Sequence, residues 1–416
     1  MDPEEVARHQ RTRLYGAMIE SVSQRGYQAT TVAHVLALAG VSRRVFYEQF
    51  PNKEQCFLAT HDILVVRERK RLIEAWQRER GWANRLHAAC RTLLHDVAAD
   101  PKGSRLVLVE SLGIGATGRE RMQLAGVTFE RLLATVLRLA PDATELPALT
   151  SRAIVGGIRH VAYTRLLEGR GAELCSLTDE VLDWIEAYRS PAAARLAALG
   201  SRGPRDPAPR PAAFLDGEDP RARALGSVVE LTQQEGYAGL WDPQIAQFAG
   251  LSTEAFHRHF RDKEECLLAA LDELLGEALR SVSDALESAS SWPEGVDRAM
   301  GAFVEHLLAN PSLRRIAFIH LFEVGPGIVG RLTASIELLT ELILEGAPVP
   351  RRGPTLARAA VTGGIWAAIV SSVANERVLR LPLFVDQLTF TLLTPYIGAR
   401  EALDAIHAAR RPAGGD

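Results

Sequence analysis

Residues 31–50, TVAHVLALAGVSRRVFYEQF, decide the fold. Val32, Val35, Leu36 and Ala39 recur at helical spacing. Gly40 stands where a helix ends in left-handed backbone, which glycine adopts without a Cβ clash. Val41 fills the turn, and Ser42 suits the N-cap of a second helix. In that helix Val45, Phe46 and Phe50 can face inward, while Arg43, Arg44 and Tyr47 point elsewhere. Helix, tight turn and second helix make a helix-turn-helix, whose second helix lies in the DNA major groove.

The chain contains this frame twice. At an offset of 210, residues 241–260 read WDPQIAQFAGLSTEAFHRHF. Between 13–58 and 223–268 fifteen positions are identical without a gap, among them Gly26/Gly236, Tyr27/Tyr237, Gly40/Gly250, Ser42/Ser252, Phe46/Phe256, Phe50/Phe260, Lys53/Lys263 and Cys56/Cys266. Trp82 then pairs with Trp292 and Pro101 with Pro311, and after a small deletion Gly156-Gly157-Ile158 pairs with Gly363-Gly364-Ile365. The halves are a tandem duplication, joined by a segment rich in Pro, Gly and charge at 200–220 that cannot bury a core.

Gly26-Tyr27, Thr30-Thr31-Val32, Val35-Leu36, Ala39-Gly40-Val41-Ser42, Phe46-Tyr47, Phe50 and Lys53-Glu54 together resemble the TetR/AcrR family of one-component transcriptional repressors. Two positions depart from the family pattern, Leu36 in place of Ala and Gln49 in place of a frequent His. The resemblance covers nearly the whole chain outside the linker. It implies an all-α fold of two tandem TetR-like units, each a helix-turn-helix three-helix head on a helical regulatory body. The expected boundaries are 1–52 for the first head, 53–199 for the first body, 200–220 for the linker, 221–262 for the second head and 263–416 for the second body. In such proteins the last two long helices of the body form a four-helix dimer bundle, and both Gly-Gly-Ile triplets fall in the first of these. The resemblance therefore implies an intramolecular pseudo-dimer, with further homodimerisation possible. Its partners would be a double-stranded DNA operator and a small hydrophobic or amphipathic effector. It further implies a ligand-responsive cytoplasmic repressor that is not an enzyme and needs no cofactor or metal.

Composition agrees with two soluble domains. A chain of 416 residues is too long for one small core. A net charge of −3 gives no global nucleic-acid signature, so DNA binding has to come from a local patch. The four cysteines, at 56, 90, 175 and 266, lack metal or disulfide-framework spacing. The N-terminus MDPEEVARHQ is too acidic for a signal peptide. The longest uncharged run, 359–375, is shorter than a membrane span and carries glycines, serines and an asparagine, which reads as a buried helix. Helical periodicity covers 11–25, 53–80, 82–99, 119–139, 148–168 and 177–199, with no alternating strand pattern.

The residues expected to carry DNA chemistry follow from the motif. Arg43 and Arg44 occupy the turn that reaches base edges, where an arginine fork can bond two guanine acceptors. An arbitrary arginine pair is more often a solvated turn; its place directly after Ser42 argues for contact with DNA. Tyr47 matches the family's backbone-contacting tyrosine, Lys53 opens the following helix, and Thr30 and Thr31 can cap helix two and donate to phosphate. In the second head Ser252 is kept, but Thr253-Glu254 replaces the arginine pair. His257 replaces the tyrosine, and Arg258, His259 and Lys263 remain for the backbone. Asp242-Pro243 is expected to supply the N-cap there.

Two other classes were weighed. A sensor or interaction protein with a degenerate second head would need no operator reading by that head. A dinucleotide enzyme would use the literal GxGxxG at Gly113–Gly118, but that motif requires a preceding strand and a βαβ unit, and the surrounding pattern is helical. For an effector, Trp82, Phe129, Tyr163 and Trp184 in one body and Phe303, Phe318, Trp366 and Phe390 in the other offer apolar surface; ordinary core packing is the plainer reading of each.

Overall fold

The computed structural model describes residues 3–141, 146, 147, 149–199, 219–317, 326–351, 353–374 and 378–410, and among these there is no strand. The first half comprises α1 (Pro3–Ala29), α2 (Val32–Ala39), α3 (Arg43–Gln49), α4 (Lys53–Arg78), α5 (Trp82–Ala99), α6 (Pro101–Leu108), α7 (Ala116–Arg138), α8 (Thr150–Leu167), α9 (Thr178–Ala187) and α10 (Pro191–Ala198). The second comprises α11 (Pro220–Glu235), α12 (Asp242–Phe248), α13 (Thr253–His257), α14 (Lys263–Glu287), α15 (Trp292–Ala309), α16 (Pro311–Arg315), α17 (Pro326–Leu344), α18 (Ala357–Ala374), α19 (Val385–Ile397) and α20 (Ala399–Arg410). The 177–199 stretch breaks in two because Ser190 caps α10 and Pro191 starts it. The expected linker lies outside the described residues up to 218, and Asp219 already caps α11.

The chain forms two compact units that do not follow the repeat. One is Met1–Asp142 with Ile158–Leu182; the other is Ala143–Gly157 with Asp183–Asp416. The division falls inside α8 and inside α9, so part of the first half is built into the second unit.

In the first unit the caps read from sequence form. The Thr31 hydroxyl accepts from His34 N, and His34 Nδ1 accepts from Thr31 N, closing a capping box. Gly40 adopts φ 59° and ψ 40°, and its N–H donates to Leu36 O at 2.8 Å. Ser42 Oγ accepts from Val45 N, starting α3. Beneath the turn Leu14, Met18, Val35, Phe46 and Phe57 are at most 0–1% exposed and form one core. Leu36, the first departure from the family pattern, packs against that core.

The head is tied to its body at the glycine-rich turn. Tyr27 N donates to Glu110 Oε2 at 2.9 Å, and Gln28 Nε2 donates to Gly113 O at 2.6 Å. Helix α6 and a 3₁₀ turn at Glu110–Ile114 precede this turn, and α7 follows it. A Cβ on Gly118 would lie 2.0 Å from Ser111 O, so only glycine lets α7 start there. The strand that a dinucleotide fold requires before its glycines is replaced by helix.

In the first body α4 and α5 pack with Arg71 on Asp96 at 2.6 Å and Arg67 on Asp100 at 2.8 Å. Burial, and next the Asp96 carboxylate, push Glu68 up from 4.5 to about 7, with Arg71 and Arg67 opposing. A raised carboxyl pKa favours the protonated folded state. Its contribution is complete below pH ~4.5 and is lost as pH rises through about 7. Glu68→Gln should therefore flatten the fall in stability between those values, by up to about 3 kcal/mol. Denaturant melts of both proteins across that window check this; parallel curves would refute it.

The second unit repeats the head with Leu225, Val228, Ile245 and Phe256 fully buried. It also contains a close approach between helices α8 and α18. A Cβ on Gly157 of α8 would lie 2.4 Å from Ala360 O of α18, and one on Gly364 would lie 2.8 Å from Ala153 O. In the repeat Gly157 corresponds to Gly364 and Ala153 to Ala360, so the contact is reciprocal. A Cβ on Gly156 would lie 2.8 Å from Gly363 O. Tyr188 Oη donates to Thr391 O at 2.8 Å within the same unit, and α10 packs on α20. No helix among the described residues is long and apolar enough to cross a membrane.

Candidate nucleic-acid interface

Helix α3 is short, and its orientation is fixed by Phe46, which is 0% exposed. That leaves Ser42, Arg43, Arg44 and Tyr47 on the outer side, all exposed. The Arg43 guanidinium and the Tyr47 hydroxyl have no hydrogen-bond partner among the described residues. The Tyr47 ring stands edge-on to Phe46 at 5.3 Å, which aims the hydroxyl away from the core. Arg44 pairs with Glu48 at 2.8 Å, but the two side chains are 88% and 52% exposed. Such a pair is worth little in water and can open to a stronger acceptor. The spacing of Arg44 and Glu48 one helical turn apart was the signal for it, and the sequence reading passed over it. Arg11 was also missed: its guanidinium donates to Gln49 Oε1 at 2.7–2.9 Å, so the residue replacing the family's histidine braces α1 against α3.

Thr31 lies exposed at the start of α2, as expected. Thr30 departs from expectation. It is 1% exposed, its hydroxyl donates to Gly26 O at 2.8 Å, and it accepts from Ser21, so it ties the core and does not face phosphate. Lys53 is half-buried, donating to Tyr27 O at 3.0 Å with its ammonium 4.1 Å from the Tyr27 ring centroid. Burial lowers its pKa.

The second head repeats this brace. Lys263 donates to Leu240 O at 2.5 Å and to Tyr237 O at 3.3 Å, and lies 4.5 Å from the Tyr237 ring centroid. Thr253, Glu254, His257, Arg258 and His259 are exposed, and Ser252 caps α13 by accepting from Ala255 N at 3.1 Å. Asp242 is not the N-cap that the sequence suggested. Trp241 holds that position, and Asp242 is the first helical residue. Its carboxylate accepts from Lys263 N at 2.9 Å and lies 3.8 Å from His257 Nε2. Charge is inverted between the heads: Arg44 and Glu48 are matched by Glu254 and Arg258.

Of the aromatic residues considered for an effector, Trp184 is 0% and Phe390 1% exposed, as core side chains are. Trp82 Nε1 donates to Val136 O. Phe303 and Trp366 line an apolar crevice in the second body. Phe318 lies outside the described residues. No group of three or more His, Cys, Asp or Glu residues among those described could hold a metal ion.

Two buried aromatic cores, each holding a capped three-helix head with an exposed second helix, define a helix-turn-helix protein with two heads. Residues 17–60 and 228–270 each match the family model for bacterial regulatory proteins, tetR family. The N-terminal domain of that family is thus present twice in the chain. It is 28% identical over 112 residues to the HTH-type transcriptional regulator EthR of Mycolicibacterium smegmatis, covering 27% of this chain and 52% of that one. The chain thus spans about half the length of that curated relative. Among solved structures, the fatty acid degradation regulator FadR of Bacillus halodurans aligns at 18% identity and a TM-score of 0.35, over 42% of this chain and 94% of its own. The transcriptional regulator FadR of Bacillus subtilis, solved in complex with stearoyl-CoA, aligns at 18% identity and a TM-score of 0.39, over 42% and 96%.

Proposed function

We propose that the chain is a cytoplasmic, ligand-responsive transcriptional repressor, without enzymatic activity, in which one polypeptide supplies both heads of a pseudo-dimer. The observation that carries this is the reciprocal contact of Gly157 with Ala360 and of Gly364 with Ala153, the pattern a two-fold interface makes. The first head reads bases through Arg43 and Arg44, with Ser42, Thr31 and Tyr47 on the backbone. The second approaches through Ser252, Thr253, His257, Arg258 and His259, with Glu254 facing phosphate or a cytosine amino group. Lys53 and Lys263 tie the starts of α4 and α14 to the segments before α2 and α12, with only part of each ammonium left for phosphate. The effector acts by moving the body against the glycine-rich turn that carries Tyr27 and Gln28. Heads that must meet successive major grooves lose binding on small rotations.

An ordinary dimer with identical recognition helices binds a palindrome. Here Arg43-Arg44-Val45 faces Thr253-Glu254-Ala255, so one chain should bind an asymmetric site with a G-containing half. Selection from a random DNA library, followed by footprinting and a mass measurement of the complex, tests this. Two chains on a perfect palindrome would overturn the pseudo-dimer. A second reading, in which the other head only folds and reads nothing, is favoured by Thr253-Glu254 standing where the first head has Arg43-Arg44. A selected site with a single conserved half would support it.

A further inference from the structure

The duplication makes each body a control for the other. In the second body Leu275, Leu279, Phe303, Ile336, Leu339 and Trp366 line an apolar crevice with about 20 Å³ of room, about one water. The register between bodies is fixed structurally as well as by sequence. Trp82 Nε1 donates to Val136 O at 2.7 Å, and its counterpart Trp292 donates to Ile343 O at 2.9 Å. In that register Leu275 matches Val65, Phe303 matches Leu93, Ile336 matches Phe129 and Leu339 matches Leu132. Trp366, which lines the crevice, matches Arg159.

Arg159 is the anomaly. It stands on α8 in the otherwise apolar run AIVGGIRHVAY, half-buried, with no hydrogen bond or ion pair among the described residues. Burial pulls its guanidinium below its ordinary range, and Glu130 of α7 opposes this. An enclosed charge without a paired carboxylate is costly to fold around. In the repeat register its position matches the crevice side, where α5 is less buried than its counterpart α15. Helix α5 has four buried residues where α15 has ten. Among the α7 residues whose burial is described, Leu137 is the one buried large apolar side chain. Val65, Leu93, Phe129 and Leu132 are all half-buried.

We propose that the interior of the first body, between α4, α5, α7 and α8, is a site for an amphipathic organic anion, with its carboxylate paired to Arg159 and its apolar chain along Val65, Leu93, Phe129 and Leu132. The second body, closed by Trp366, takes no such ligand. The effector response is therefore one-sided: one body senses and the other is a filled support. This inference rests on the ligand-responsive reading above and specifies its chemistry.

Calorimetry on the full chain with decanoate, decanol and decylamine tests it. Decanoate should bind at least tenfold tighter than the alcohol, and the amine should not compete. Arg159→Met should weaken decanoate at least tenfold and at the same time raise the melting temperature of the unliganded protein, because an unpaired charge gives way to an apolar chain. Arg159→Lys should recover part of the affinity. Trp366→Leu should leave decanoate affinity unchanged. Equal binding of alcohol and carboxylate overturns the site. So does an Arg159→Met protein that binds normally or melts lower, or loss of binding in Trp366→Leu. The absence of binding by any straight-chain carboxylate from hexanoate to hexadecanoate also overturns it, while operator binding by the free protein stays intact. Decanoate that binds through Arg159 but leaves operator affinity unchanged sinks the ligand-responsive reading and leaves the site standing.

Discussion

Gly157→Val lowers the stability of the second unit by about 3 kcal/mol, the upper end of what overpacking costs, which corresponds to a melting temperature lower by roughly 10 °C. The first added carbon already meets Ala360 O and the Trp184 ring, each at 2.4 Å. One of these neighbours is backbone and the other is 0% exposed, so neither can turn aside. Gly364→Val meets the same contact from the other side at 2.8 Å and should cost somewhat less. Gly301→Ala in α15 is the internal control: nothing lies within 4 Å of its added carbon, and helix propensity alone should raise stability by up to about 1 kcal/mol. Scanning calorimetry separates the three variants. If Gly157→Val melts with the wild type, the close approach of α8 and α18 is not what holds the unit together.

Arg43→Ala and Arg44→Ala each cost about 1–3 kcal/mol of specific operator binding, and together they reduce it to the non-specific level. Folding should be untouched, since both side chains are exposed and Arg44's pair with Glu48 lies in water. Glu48→Gln releases the Arg44 guanidinium and should tighten binding to all sequences slightly. Thr253→Ala with Glu254→Ala should change affinity little or raise it, because a carboxylate is removed from the approach to phosphate. Fluorescence anisotropy on the selected site at two salt concentrations provides the measurement. Wild-type affinity in the double arginine variant would remove the first head from the interface.

The caps were legible because each depends on a few neighbouring residues. Thr31, Gly40 and Ser42 each do what their side chain or lack of one dictates. Ser190-Pro191 was equally local, and was passed over in favour of one long helix. What sequence could not show was direction. Thr30 and Thr31 are adjacent and chemically identical, yet one points into the core toward Gly26 and the other caps a helix in solvent. Lys53 has the composition of a phosphate ligand, but the neighbouring Tyr27 carbonyl and ring claim it. Asp242 was placed one residue out because its true partner, Lys263 N, lies 21 residues away. The GxGxxG pattern is correct as glycine chemistry and misleading as a fingerprint: its carbonyl and its missing side chain serve Gln28 and Ser111. A lone arginine in a helix is common, and what marks Arg159 is the lack of a hydrogen bond or ion pair to it among the described residues.

Gly157 and Ala360 lie in close backbone contact, and both belong to one polypeptide. A contact of this kind between separate subunits is weakened by dilution, and its melting point falls as the protein becomes scarce. In the proposed pseudo-dimer the two halves are joined covalently, so the contact would have no concentration term and a single copy would already be assembled. Occupancy of DNA then rises with the first power of the number of molecules, without the threshold that a dissociating pair imposes. Such a regulator keeps its set point when present in only a few copies, and daughter cells that inherit unequal shares differ in proportion to those shares and no more steeply.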